Sequence, residues 1–295
     1  MAEPLEFTGE RFTPECVREI RHEHFHRYVY ARALCAGARV LDVACGEGYG
    51  SALLAGSAER VTGVDLDEGA VAHARARYGD APNLDFRAGD ATALPFADAS
   101  FDRVVSFETL EHLEAQEALI DEFARVLAPG GLLIVSTPDR ARYSDERGYE
   151  NEFHVRELYR EEFEALLGRR FPARRLLGQK LVFTSAIFEP GRLGSLRFDV
   201  DEGGAVRRAE GFPHAALYWI ALCAAAEEDL PPADPGLWLF DDATESVYAH
   251  YEGEIRRNMA AGGLLAERER EIARLEQALD EARRAPFWRR WFGGG

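Results

Sequence analysis

Residues 40–50 (VLDVACGEGYG) constrain this chain more than any others, because a short apolar strand pattern runs there into glycines spaced G-x-G-x-G and then into a helix pattern. Glycines let the backbone approach a ligand closely and take dihedrals that a Cβ forbids. The first turn of the following helix offers unpaired N–H groups to polar ligand atoms. A glycine cluster alone is a weak signal, and its surroundings strengthen it. A second strand, residues 60–64, ends at Asp65, and a third, Leu84–Ala88, ends at Gly89 and Asp90. In a doubly wound sheet, ligands bind in the crevice at the carboxyl ends of the strands, so all three features converge on one nucleotide-like ligand.

Strand and helix patterns alternate from residue 39 to about 137, which predicts an α/β fold with a doubly wound, mostly parallel sheet and right-handed crossovers. A helix over residues 16–36 precedes the first strand, carrying Val17, Ile20, Phe25, Val29, Ala33 and Leu34 at helical spacing. Further strands are expected at residues 101–107, 132–137 and around 175–184, and a last, largely buried one at 215–225. A hairpin is expected at 195–209 around Gly203 and Gly204. The expected domains are 1–225, an acidic and proline-rich linker at 226–242, and a helical tail at 243–295. In the tail, Asp242 to Glu245 has capping-box spacing, and Gly262 and Gly263 are expected to interrupt the helix. Leu265, Ile272 and Leu279 then recur every seven residues, a short coiled-coil pattern suited to self-association. The end, residues 283–292, alternates arginines with aromatics and suits a membrane interface or a partner groove.

A formal net charge of -17 argues against a nucleic-acid partner, since phosphate neutralisation needs clustered Lys and Arg. Cys16, Cys35, Cys45 and Cys223 form no C-x-x-C pair, so neither a zinc knuckle nor a disulfide framework is indicated and a reducing cytoplasm is expected. No run reaches the eighteen apolar residues of a membrane span, and residues 1–15 lack a signal-peptide layout, which leaves peripheral contact with the inner membrane face through residues 265–292 as the one membrane role expected.

The ligand is narrowed by charge. A nicotinamide dinucleotide fingerprint has a third small residue at the position of Ser51, and Asp42 on the strand end would sit awkwardly beside a pyrophosphate. A carboxylate there suits a ligand carrying an ammonium or sulfonium. The ordered segments VLDVACGEGYG, VTGVDLD, FRAGDATALPF, FDRVVSFETLEHL and VLAPGGLLIVSTP, covering about residues 39–137, resemble class I S-adenosylmethionine-dependent methyltransferases of the broad group that includes ubiquinone-pathway O-methyltransferases. The resemblance implies a seven-stranded Rossmann-like sheet and S-adenosylmethionine as cofactor. It implies further that Ala44, Gly46 and Gly48 cradle the methionine moiety, that Asp65 holds the ribose and that Leu66 packs on the adenine. Asp90 and the Ala91 N–H would meet the adenine polar atoms, Phe107 would line the cofactor near the sulfur, and Arg27 would hold its carboxylate.

Methyl transfer is an in-line displacement at an activated carbon, so the protein mainly aligns the nucleophile and excludes water. A hydroxyl acceptor also has to lose a proton, and histidine suits that task near neutral pH. His112, after the fourth strand, and His154, expected to open a helix after the fifth, are the candidates. His22, His24 and His26 are two residues apart on a helix and cannot share a metal, so no metal site is expected and a partly solvated face is. The segments TGERFTPE (residues 8–15) and EHFHRY (residues 23–28) are similar to methyltransferases found with bacterial surface-polysaccharide assembly, which implies O-methylation of a sugar hydroxyl. Two alternatives stand beside it: a small-molecule enzyme acting on a quinone, lipid or natural product, and a non-catalytic scaffold in a glycan-assembly complex.

Overall fold

The computed structural model describes residues 19–187, 196–201, 203–234, 236–241 and 243–284. It divides into two compact units, residues 1–240 and 241–295. Helix α1 (Glu19–Leu34) leads into strand β1 (Arg39–Val43), followed by α2 (Tyr49–Ala55), β2 (Arg60–Asp65), α3 (Glu68–Tyr78), β3 (Leu84–Ala88), β4 (Phe101–Phe107), α4 (Gln116–Val126) and β5 (Leu127–Pro138). Then come α5 (Arg160–Gly168), β6 (Ala173–Gln179), the small hairpin β7 (Phe198–Asp201) and β8 (Val206–Ala209), and β9 (Tyr218–Ala224).

Seven strands form one sheet in the order β3-β2-β1-β4-β5-β9-β6. The pairs β1–β2, β1–β4, β2–β3 and β4–β5 are parallel, and β9 runs antiparallel between β5 and β6. Val40, Leu41, Asp42 and Val43 are all buried, the continuous burial of a strand with a helix layer on each face. One core cluster joins Tyr28, Ala31, Leu54, Val71 and Phe86 beneath α1, α2 and α3, and a second joins Leu119, Ile120, Phe123, Phe163 and Leu167 beneath α4 and α5. The strand order reverses between β1 and β4, which opens the ligand crevice beyond Val43 and Phe107.

Several sequence expectations change. Residues 226–240 belong to the first unit: Leu230 is buried, Pro231 O accepts from Arg175 Nη1 at 2.7 Å, and Trp238 meets Tyr30 edge-on. The face carrying His22, His24 and His26 is half-buried at His24 and His26 and buried at His22, where the Phe240 ring contacts His22 and His26, and burial, with Arg27 behind it, lowers the pKa of His24 and His26. His154 does not open a helix; it lies in the turn before α5, six residues ahead of Arg160.

In the second unit, helix α6 (Ser246–Arg284) runs without interruption through Gly262 and Gly263. Each glycine costs about 1 kcal/mol against alanine in a helix interior, which the surrounding Ala, Leu, Glu and Arg residues and pairs such as Arg274 with Glu271 offset. None of its described residues is buried, and Leu265, Ile272, Leu275 and Leu279 are all exposed. The capping position Asp242, the arginine–aromatic segment from 285 onward and the amino-terminal segment 8–15 lie outside the described residues. Among the described residues, no helix is long and apolar enough to cross a membrane.

Candidate active site

The turn after β1 is pinned to β2 by backbone and side chain together. The Cys45 N–H donates to Val64 O at 2.9 Å, and the Gly46 N–H donates to Asp65 Oδ2 at 2.8 Å. Gly48 has φ 95°, and a Cβ there would lie 2.8 Å from Ala74 Cβ. A Cβ on Gly50 would fall 2.1 Å from Tyr28 Cζ. The spacing of the glycines therefore records close packing of α2 on α1 and α3 as well as room for a ligand. Glu47, buried within the same turn, is held by Arg77 Nη1 at 2.7 Å and by the Tyr78 hydroxyl at 3.0 Å.

Ala44 and Glu108 follow the two strands that flank the switch point, and both have positive φ, 58° and 51°. Non-glycine residues in that region carry strain of about 1 kcal/mol or more and concentrate at ligand sites. Ala44 is exposed to the crevice and Gly46 half-buried, as a backbone cradle requires.

Asp42 departs from its expected role. It is fully buried, with Oδ2 accepting from Ser51 Oγ at 2.6 Å and Oδ1 accepting from the Tyr28 hydroxyl at 3.1 Å. Burial pushes its carboxyl up to about 7, against the opposing effect of those two hydrogen bonds. Asp42 therefore braces the glycine turn from below and does not face a ligand cation. Ser51, at the position of a third glycine, is its partner.

The remaining residues expected to bind cofactor lie around the crevice. Asp65 already takes backbone N–H groups from Gly46 and from Asp67, the latter at 3.0 Å, and a carboxylate with about four lone-pair sites retains room for two hydroxyls. Leu66 next to it is 74% exposed, an apolar side chain that an adenine face would cover. Asp90 Oδ1 takes both the N–H and the hydroxyl of Thr92, at 2.8 and 2.7 Å, so an adenine amino group bound here would donate to Oδ2, with half-buried Ala91 beside it. Phe107 ends β4 with its ring edge-on to Tyr28, centroids 5.0 Å apart.

Arg27 carries the sharpest fit. Its side chain is fully buried, Nε donates to Gln179 Oε1 at 2.6 Å, and the guanidinium lies 4.5 Å from the Tyr218 ring centroid. Nη1 is 3.5 Å from Glu108 Oε1, beyond good hydrogen-bond geometry, and neither Nη1 nor Nη2 has a hydrogen-bond partner among the described residues. Two buried guanidinium nitrogens without acceptors are costly unless a ligand supplies them, and a carboxylate supplies both at once. An amino-acid carboxylate at Arg27, a ribose at Asp65 and an adenine at Leu66 and Asp90 together match S-adenosylmethionine. When bound, that cofactor supplies a methyl group on a sulfonium.

On the other side of the crevice, His112 and His154 meet edge-on with ring centroids 5.1 Å apart, and Tyr143 stacks on His154 at 5.4 Å. His112 Nδ1 is 3.1 Å from Phe153 O, and His154 Nδ1 is 2.6 Å from Glu157 Oε1. Glu111, not singled out by its sequence position, is buried beside them and accepts from Thr137 Oγ1 at 3.2 Å; burial, then the Glu108 carboxylate, holds its own carboxyl well above the usual range. Although no metal-ligand set was expected, Glu111, His112 and His154 offer ligand atoms within 4.8 Å of one another. A cavity of about 720 Å³ adjoins His154 and Glu157. Spacing gave no signal for Glu108, Gln179 or Tyr218, which reach Arg27 from three separate elements.

Comparison with known proteins agrees with the donor side. Residues 41–135 match the family model described as a methyltransferase domain. A probable S-adenosylmethionine-dependent methyltransferase of Mycolicibacterium smegmatis is 42% identical over 209 residues, covering 70% of this chain and 77% of the relative. A demethylmenaquinone methyltransferase of Beutenbergia cavernae is 43% identical over 116 residues, or 38% of this chain and 47% of that one. The crystal structure of an S-adenosylmethionine-dependent methyltransferase from Thermotoga maritima shares the fold, with a TM-score of 0.50 at 21% identity over 70% of this chain and 90% of that chain. With the fold, the cradle and a relative of this identity in agreement, the chain belongs to the class I S-adenosylmethionine-dependent methyltransferases.

Proposed function

We propose that this methyltransferase acts on a hydroxyl of a sugar, in the building of a glycan or polysaccharide. The observation that carries the reading is the cavity of about 720 Å³ beside His154, whose lining includes Arg140, Ser144, Asp145, Asn151, Arg156 and Glu157. Closely spaced donors and acceptors of both charges suit a polyhydroxyl acceptor, and such a wall offers little to an apolar one. The acceptor hydroxyl meets the His112–His154 pair, which promotes the loss of its proton, while the glycine turn, Asp65 and Arg27 hold the donor. The exposed apolar residues of α6 support a further role for residues 265–292 in docking to a membrane, to an assembly partner or to a second copy of the chain.

A second reading has its own observation. Tyr30, Leu177, Phe212, Trp219 and Trp238 contribute to a cavity of about 520 Å³ that reaches Arg27, and this lining suits a quinone or lipid. Mass spectrometry of cells with and without this chain separates the two. The sugar reading expects a methyl increment of 14 mass units on a glycan species, and that increment on a quinone or lipid instead would overturn it.

A further inference from the structure

Two segments bring three potential ligands together on the acceptor side. Glu111 and His112 lie in the turn after β4, and His154 lies in the segment before α5. The segments are clipped together by backbone: Glu111 O accepts the N–H groups of Val155 at 2.8 Å and of Arg156 at 3.0 Å. A nitrogen of each histidine and a carboxylate oxygen of Glu111 then lie within 4.8 Å of one another.

The rings are also oriented. His112 Nδ1 faces a backbone carbonyl, Phe153 O, and His154 Nδ1 faces a carboxylate oxygen of Glu157. Neither partner can donate, so each of these Nδ1 atoms carries a proton. A histidine whose other ring nitrogen donates to a carboxylate or carbonyl is the usual arrangement around a bound metal, because that hydrogen bond fixes the tautomer and raises the basicity of the ligand nitrogen. The carboxylate of Glu111 is buried and accepts from the Thr137 hydroxyl.

We propose that Glu111, His112 and His154 form a divalent-cation site of the two-histidine, one-carboxylate type, suited to a borderline first-row ion such as Fe²⁺, Co²⁺ or Zn²⁺. Three protein ligands leave coordination positions open for the acceptor. The proposal deepens the reading of a hydroxyl acceptor and rests on it for its role in the reaction. A cation here acidifies the acceptor oxygen: the O–H bond breaks with the proton passing to water, the new O–CH₃ bond forms as the sulfonium C–S bond breaks, and the donor leaves as its neutral thioether. His112 and His154 act as ligands, and neither takes the proton itself.

The test is a titration of untagged, chelator-stripped full-length protein with Co²⁺, read by visible ligand-field absorption and by calorimetry, with no donor or acceptor present. The wild type is expected to take one equivalent, with affinity reduced at least tenfold in His112→Ala and His154→Ala. Glu157→Gln, which removes only the second carboxylate, is expected to lose about tenfold. S-adenosylmethionine affinity, measured on the same samples, is expected to be unchanged and shows that each variant is folded. No Co²⁺ uptake by the wild type, or equal uptake by His112→Ala and His154→Ala, overturns the site. Failure of S-adenosylmethionine binding with Co²⁺ uptake intact would instead count against the donor site and leave the cation site standing.

Discussion

The donor side and the acceptor side of the crevice are prepared by different means. On the donor side the backbone does most of the work: positive φ at Ala44, Gly46 and Gly48 and the Gly46 N–H on Asp65 come from one strand–turn–helix and the strand end beside it. On the acceptor side the chemistry sits on side chains from distant segments, with Glu111 and His112 brought to His154 by two backbone hydrogen bonds. A site made of local backbone tolerates few changes of residue type at its turn. A site made of converging side chains can be altered one residue at a time, which suits the part of the enzyme that meets a variable substrate.

If the two sides are separable, substitutions on one should spare the other. The largest effect is expected from His154→Ala, which should lower turnover on the acceptor by about 10²-fold or more while leaving donor affinity unchanged. A comparable loss of donor affinity would show that the sides are not independent. Next, Arg27→Met should weaken S-adenosylmethionine by roughly tenfold to a hundredfold, the worth of charge-assisted hydrogen bonds to its carboxylate. Affinity for 5′-methylthioadenosine, which lacks that carboxylate, should stay the same. Equal weakening of both ligands in calorimetry would take Arg27 out of contact with the amino-acid end.

Asp42 gives a third test through pH. With its carboxyl pushed up to about 7, the folded protein keeps a proton there while the unfolded chain, near 4, has lost it. Its contribution therefore makes the fold less stable as pH rises from about 4 to about 7, by on the order of a few kcal/mol, and then levels off. Asp42→Asn should remove this slope, so that its melting temperature relative to wild type is higher at pH 8 than at pH 5. A constant difference across that range would mean Asp42 is not a buried acid. The smallest effect belongs to Tyr28→Phe, which removes one hydrogen bond to Asp42 and should cost about 1 kcal/mol, a fall of roughly 2–4 °C in melting temperature.

The donor side was legible because its constraints are local. Gly46, Gly48, Asp65 and Asp90 lie at or just beyond strand ends whose positions follow from alternation, and only certain residues fit there. Asp42 shows the limit even so. Its charge was plain, but its direction was set by Tyr28 and Ser51, whose hydroxyls turn the carboxylate into the core. The partners of Arg27 are hidden for a stronger reason: Gln179 and Tyr218 come from β6 and β9, more than 150 residues later, and nothing near Arg27 marks them. His112 and His154 each stood out, yet their pairing depends on the Glu111 carbonyl meeting the Val155 and Arg156 N–H groups, which no residue type announces. The same is true of Phe240, which covers the α1 histidines from the far end of the unit.

The central claim is that the glycine turn and the carboxylate at the end of β2 hold S-adenosylmethionine. Calorimetric titration of S-adenosylmethionine into wild type and Asp65→Ala tests it most directly. One site per wild-type chain is predicted, with affinity lowered at least tenfold by the substitution. Absence of binding to the wild type, or equal affinity in both proteins, would contradict it.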